Sequence, residues 1–265
     1  MNKKTAVMSL SGGMDSTGLL VHLLGNGYDV YCISYYYGQK HSIELERAKT
    51  NIDIMTAMGL SIKEHKFVDI SSAMGIFHSA LTDENIEVPE GHYEQENMVA
   101  TVVPNRNAIF SSIVYGYALS IATKNDCSVD ICLGVHSGDH AIYPDCRPEF
   151  YDLLEKAFSN GNWGSEKVQF VLPYIDGDKT TILEDALINC ETLGLDFDMV
   201  FRNTNTSYNP DEQGRSSGKS GADVERILAF IEVGRKDPVE YVDGWEIARD
   251  NALKVKSEWE QSQEA

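Results

Sequence analysis

The chain is poor in positive charge: 22 Lys and Arg stand against 41 Asp and Glu among 265 residues, a formal net charge of -19. A surface of that sign repels a polyanion, which argues against direct nucleic-acid binding, and colloidal solubility accounts for the acidic excess. Long hydrophobic runs are also missing, so nothing approaches a membrane span. Met1-Asn2-Lys3-Lys4 runs straight into an apolar strand pattern without the hydrophobic region of a secretory signal, and a cytoplasmic protein with no membrane partner is expected. Five cysteines, Cys32, Cys127, Cys132, Cys146 and Cys190, are odd in number and lack C-x-x-C spacing; they read as free thiols of a reducing compartment. Neither G-x-x-x-x-G-K-[ST] nor G-x-G-x-x-G occurs, which sets aside Walker-type NTPases and dinucleotide fingerprints. There is no internal repeat.

Strand-length apolar runs alternate with helical patterns: strand 6–10, helix 16–25, strand 28–35, helix 42–58 and strand 61–67. This βαβαβ order predicts an α/β fold with a doubly wound, mostly parallel sheet. A weakly periodic stretch, 71–101, reads as an insertion or mobile loop. Helix 108–124, strand 130–135, helix 149–160, strand 167–173 and helix 180–193 follow. Residues 203–221 are rich in Ser, Asn and Gly and predict irregular backbone. From 238 the chain is charged and helical in pattern, with Trp245 and Trp259 as docking anchors.

Ser11-Gly12-Gly13-Met14-Asp15-Ser16 lies between the first strand and the first helix. A small-residue turn entering a helix N-terminus makes a nest of backbone N–H groups suited to pyrophosphate. The glycines let the backbone approach the anion. Asp15 is explained by a magnesium ion bridging to the phosphates. The hexapeptide resembles the SGGxDS loop of the PP-loop ATP pyrophosphatases, of adenine nucleotide alpha hydrolase-like fold, which cleave ATP between the α and β phosphates.

Further polar clusters stand where strands end: Tyr37-Gly38-Gln39-Lys40-His41, Val103-Pro104-Asn105-Arg106-Asn107, Gly134-Val135-His136-Ser137-Gly138-Asp139, Tyr143-Pro144-Asp145-Cys146-Arg147-Pro148-Glu149-Phe150, and Asp178-Lys179. In this order they resemble the motifs of the 7-cyano-7-deazaguanine synthase family over roughly residues 5 to 232. The resemblance implies a C–N bond-forming ligase of queuosine biosynthesis. From ATP, ammonia and 7-carboxy-7-deazaguanine it would make first an acyl-adenylate, then an amide and finally the nitrile. Ser11, Gly12, Gly13 and Ser16 would hold pyrophosphate, with Tyr37 and Gly134 also on the nucleotide, and Tyr37 either stacking on adenine or packing. Lys179 and Arg106 would neutralise phosphate or developing charge. Asp145 or Glu149 would accept from the deazaguanine N1–H and amine. Arg147 would pair with the substrate carboxylate or form a structural bridge. Tyr143, Gln39 and His41 would also meet substrate, His41 as proton shuttle or structural residue. Cys146 reads as pocket wall, because an acyl-adenylate needs no thioester.

The family's four-cysteine zinc site is altered. Its positions hold Ser207, Ser217, Ser220 and Asp223, and neutral hydroxyls are poor zinc ligands, so no zinc is expected. Expected domains are a synthase domain, 1–233, with an irregular zinc-site-like segment at 203–230, and a peripheral helical tail, 234–265. A homodimer follows from the resemblance alone. Two other functions stay open: an enzyme that stops at the amide, or joins the activated deazaguanine to another amine for DNA modification, and an idle binding protein that keeps the pocket.

Overall fold

The computed structural model describes residues 3–263 except His41, Glu84, His140 and Ala141. Five strands, β1 (Thr5–Ser9), β2 (Asp29–Tyr36), β3 (Ile62–Asp69), β4 (Val129–Cys132) and β5 (Val168–Val171), form one all-parallel sheet in the order β3-β2-β1-β4-β5. Helices cover both faces, as parallel pairing through helical crossovers requires. Successive residues of β1 point to opposite faces: Ala6 and Met8 join one core with α1 (Met14–Gly25) and α6 (Lys179–Leu193), while Val7 joins another with α4 (Arg106–Asn125). Both faces are therefore dry, and β1 reads as an unbroken apolar run.

The strand order decides where a ligand can sit. The chain winds from β1 through β2 to β3 on one side, then returns to place β4 and β5 on the other. The connections leaving β1 and β4 diverge, opening a crevice at the carboxyl ends of those strands. Ser11–Ser16 follows β1 and Gly134 follows β4, so both sit at this switch point.

The remaining helices are α2 (Ile43–Ala57), α3 (Ser71–Met74), α5 (Pro148–Gly161), α7 (Phe197–Arg202), α8 (Gly221–Glu232) and α9 (Trp245–Gln263). Between α3 and α4 the backbone is largely irregular and rests on the chain before α8, through an isolated Glu90–Ser220 bridge and a bond from Gly91 N–H to the Lys219 carbonyl. The zinc-site-like segment is irregular only to Ser220, where a capping box starts α8. Residues 234–265 begin with buried Asp237 and Tyr241, and α9 lays Ala248 and Ala252 against Val224 and Ile227 of α8. Trp245 packs at this junction, and Trp259 stacks on His92 at 4.7 Å between ring centres. No helix among the described residues is long and apolar enough to cross a membrane.

Candidate active site

The turn after β1 is shaped by Gly12, whose φ is +90° and whose side any Cβ would drive to 1.9 Å from the Glu44 carbonyl oxygen. Only glycine lets the first turn of α2 lie against the loop. On the opposite side, a Cβ at Gly134 would stand 3.2 Å from the Asp15 backbone, so the segment leaving β4 presses closely on the start of α1. Hydroxyls gather on the loop's N–H groups: Ser11 N–H donates to Ser16 Oγ at 3.2 Å, Gly13 N–H to Ser11 Oγ at 3.2 Å, and Met14 N–H to Thr206 Oγ1 at 3.2 Å.

At the loop's edge stands Lys179. Asp178 caps α6 by accepting from Thr181 N–H at 2.8 Å, which fixes Lys179 as the first helical residue. Its ammonium, 5% exposed, donates to Asp15 Oδ2 at 2.9 Å and to His136 Nε2 at 2.9 Å, and lies 3.2 Å from Glu225 Oε2. An ammonium only donates, so His136 accepts as a neutral ring protonated on Nδ1. Burial alone would raise the Asp15 carboxyl, but the Lys179 charge beside it outweighs that and holds the group well below the usual carboxylate range. Asp15 Oδ1 is buried and has no hydrogen-bond partner among the described residues.

Loop and lysine open onto a cavity of about 270 Å³. Its wall includes Ser11, Gly13, Asp15, Ser16, Gly134 and Lys179, then Tyr37, Gln39, Glu44, Arg106, Tyr143 and Cys146. Gln39 is locked in place: its Oε1 accepts from Tyr37 N–H at 2.8 Å, and its Nε2 donates to the Tyr35 carbonyl at 3.2 Å and to Glu44 Oε1 at 3.0 Å. Arg106 lies between the Tyr37 and Tyr143 rings, 5.8 and 6.0 Å from their centres, within cation–π range. Tyr143 is buried and bonded through its hydroxyl to Thr101 at 2.6 Å.

The motif 143–150 divides. Tyr143 and Cys146 line the cavity, whereas Asp145, Arg147 and Glu149 are not on its wall. Asp145 Oδ2 accepts from Asn107 N–H at 3.3 Å and so caps the start of α4. Arg147 and Glu149 are exposed and stand off this cavity wall. Gly12 shapes the loop without itself lining the cavity, and His41 lies outside the described residues. Sequence reasoning also passed over Glu44, Glu225, Asn205 and Thr206. Of these, Glu44 had a signal, an acid in the first turn of the helix after Tyr37-Gly38-Gln39.

Below the loop, Ser207, Ser217, Ser220 and Asp223 converge. The buried Asp223 Oδ2 accepts hydroxyls from Ser217 at 2.7 Å, Ser220 at 2.8 Å and Ser207 at 2.9 Å, plus Ser220 N–H at 3.2 Å. Burial raises this carboxyl and prevails over the lowering by its serine bonds. One turn on, buried Arg226 pairs with buried Asp237 through Nε–Oδ2 at 2.6 Å and Nη2–Oδ1 at 2.9 Å. Arg226 Nη1 also donates to Thr204 and Thr206 hydroxyls at 2.7 and 3.0 Å. Thr206 in turn takes the Met14 N–H, so α8 braces the anion loop through Arg226.

An anion nest at the switch point of a parallel sheet, a lysine–aspartate pair at its edge and an aromatic-walled cavity beyond define an α/β enzyme of the PP-loop ATP pyrophosphatase class. The chain belongs to the family described as queuosine biosynthesis protein QueC, whose sequence model matches residues 5–234. A relative named 7-cyano-7-deazaguanine synthase from Marinomonas sp. (strain MWYL1) is 42% identical over 236 residues, 89% of this chain and 97% of the relative. Relatives of the same name from Caldicellulosiruptor saccharolyticus and Psychromonas ingrahamii are 41% and 40% identical, over 89% and 92% of this chain and 95% and 100% of theirs.

Proposed function

We propose that this chain converts 7-carboxy-7-deazaguanine, ammonia and ATP into 7-cyano-7-deazaguanine. The observation that carries the reading is the Lys179–Asp15 pair at the edge of the loop, facing the same cavity as Tyr37, Arg106 and Tyr143. A carboxylate is a poor electrophile, since its charge is delocalised and its leaving group would be oxide. Adenylation supplies a better leaving group, so the site must stabilise pyrophosphate as it departs. Ser11, Gly13 and Ser16 hold that group on the loop that Gly12 shapes, and Lys179 offsets its growing charge. Arg106, between two phenol rings, presents a permanent cation to the substrate carboxylate or the α phosphate. Tyr37 and Tyr143 bound a planar ring, with Gln39 as a fixed polar neighbour.

The unpartnered Asp15 Oδ1 fits magnesium arriving with ATP, and that ion would neutralise phosphate charge when bound. Zinc does not fit: three neutral hydroxyls already donate to the single carboxylate at the family's zinc positions. Residues 1–233 form the catalytic unit and 234–265 a brace upon it. The protein acts in the cytoplasm as a homodimer, without nucleic acid. Incubating it with 7-carboxy-7-deazaguanine, ammonium and magnesium-ATP, with mass spectrometry of the products, should yield nitrile with two AMP per turnover. Amide alone would shorten the reaction by one step; no AMP would refute the activity.

A further inference from the structure

Making an amide from an acyl-adenylate leaves a proton on the attacking nitrogen, and some group must take it. Two acidic residues line the cavity, Asp15 and Glu44. Asp15 is committed to Lys179, whereas Glu44 makes no ion pair among the described residues. Its backbone is wedged against Gly12, which fixes it relative to the pyrophosphate loop. Its Oε1 is held by Gln39, itself tied at two backbone points, so the carboxyl has a fixed orientation on the wall. We propose that Glu44 is the proton acceptor for the ammonia nitrogen in the amide-forming step. This rests on the proposed activity.

In that step the nitrogen lone pair forms the C–N bond and the C–O bond to AMP breaks, its electron pair leaving on the AMP phosphate. One N–H proton passes to the Glu44 carboxylate, giving neutral amide, AMP and Glu44 carboxylic acid. The carboxylic acid then returns its proton to solvent before the next turnover. Burial pushes the Glu44 carboxyl up to about 7, against the lowering effects of Gln39 and the nearby Arg106 charge, and this suits a base working near neutral pH. Other titratable groups on this side of the cavity are the phenol of Tyr37, also raised by burial, and Lys40, whose ammonium donates to the Ile86 carbonyl at 2.6 Å.

Glu44→Gln keeps an oxygen for the Gln39 bond and removes the basic site. Two rates separate the steps: ATP–pyrophosphate exchange driven by 7-carboxy-7-deazaguanine, and amide formation at constant free ammonia from pH 6 to 9. The variant should lose amide formation by about 100-fold or more, while exchange falls less than about threefold. Wild-type amide formation should rise with pH through an apparent pKa near 7, because Glu44 must be ionised to accept, and the variant should lack that limb. Glu44→Asp should restore the limb at a reduced rate. Parallel loss of both rates, or an amide rate and limb that survive in Glu44→Gln, would overturn the assignment. Absence of exchange in the wild type would overturn the activity itself, and this inference with it.

Discussion

Asp237→Asn removes the counter-ion of a guanidinium that has no access to water. Arg226 and Asp237 side chains are 1% and 0% exposed, joined by two short bonds, and the Tyr241 hydroxyl donates to the same carboxylate at 2.7 Å. Deleting one partner of such a pair costs about 3–5 kcal/mol because the remaining charge stays buried. Against a total stability of about 5–15 kcal/mol this is a large share, and for a chain of this size it lowers Tm by roughly 6–20 °C. Scanning calorimetry reads that shift directly. A second effect follows from Arg226 Nη1, which also holds Thr206, the acceptor of the Met14 N–H: a displaced guanidinium loosens the anion loop and raises KM for ATP. Arg226→Met with Asp237→Leu restores most of the stability, since apolar replacement of a whole buried pair is often neutral. It leaves the ATP defect in place. A Tm drop below about 3 °C in Asp237→Asn, or recovery of ATP binding in the double variant, would refute the reasoning.

Gly12→Ala should cost about 3 kcal/mol or more, combining left-handed backbone with a steric overlap that α2 must move to relieve, and should weaken ATP binding at least tenfold by calorimetric titration. Gly27→Ala, at φ +78° with open space around it, should cost only about 1–2 kcal/mol from its backbone and leave ATP binding unchanged. As purified, the protein should carry far less than one zinc per chain by elemental analysis and lose no Tm to a chelator. Ser207→Cys, Ser217→Cys, Ser220→Cys and Asp223→Cys together should recover about one zinc, and stoichiometric zinc in the unaltered protein would contradict the reading of the serines.

The strand–loop–helix unit around Ser11–Ser16 was legible because its signals are local: an apolar run, two glycines and a helical pattern with no competing interpretation. Strand and helix bounds fell within a few residues along the sheet for the same reason. The segment 143–150 was harder. A short turn followed by a helix start sends Tyr143 and Cys146 inward and leaves Arg147 and Glu149 exposed, and adjacency in sequence says nothing about that division. Glu225 was invisible because its partner, Lys179, lies on another helix, α6. Helix α8 was obscured although its capping box, Ser220-x-x-Asp223, and apolar positions 224, 227 and 230 were present. Ser220 and Asp223 belong both to the zinc-site pattern and to the cap of α8, and the first pattern masks the second.

Those four positions also hold their segments together through contacts of the chain itself. A zinc ion holds a loop by drawing separate segments onto one centre. Here Asp223 Oδ2 draws Ser207, Ser217 and Ser220 onto one oxygen, and the same contacts start α8. Once its first turn is fixed, α8 reaches the site at two further points: Glu225 meets the Lys179 ammonium, and Arg226 holds Thr206 under the anion loop. Arg226 is in turn fixed by Asp237 from the segment leading to α9, so the C-terminal residues reinforce the helix that the serines begin. The carboxylate hub and the buried ion pair therefore act in series on one loop. Weakening either should be read first in how the protein holds pyrophosphate, before any change at the deazaguanine end of the cavity.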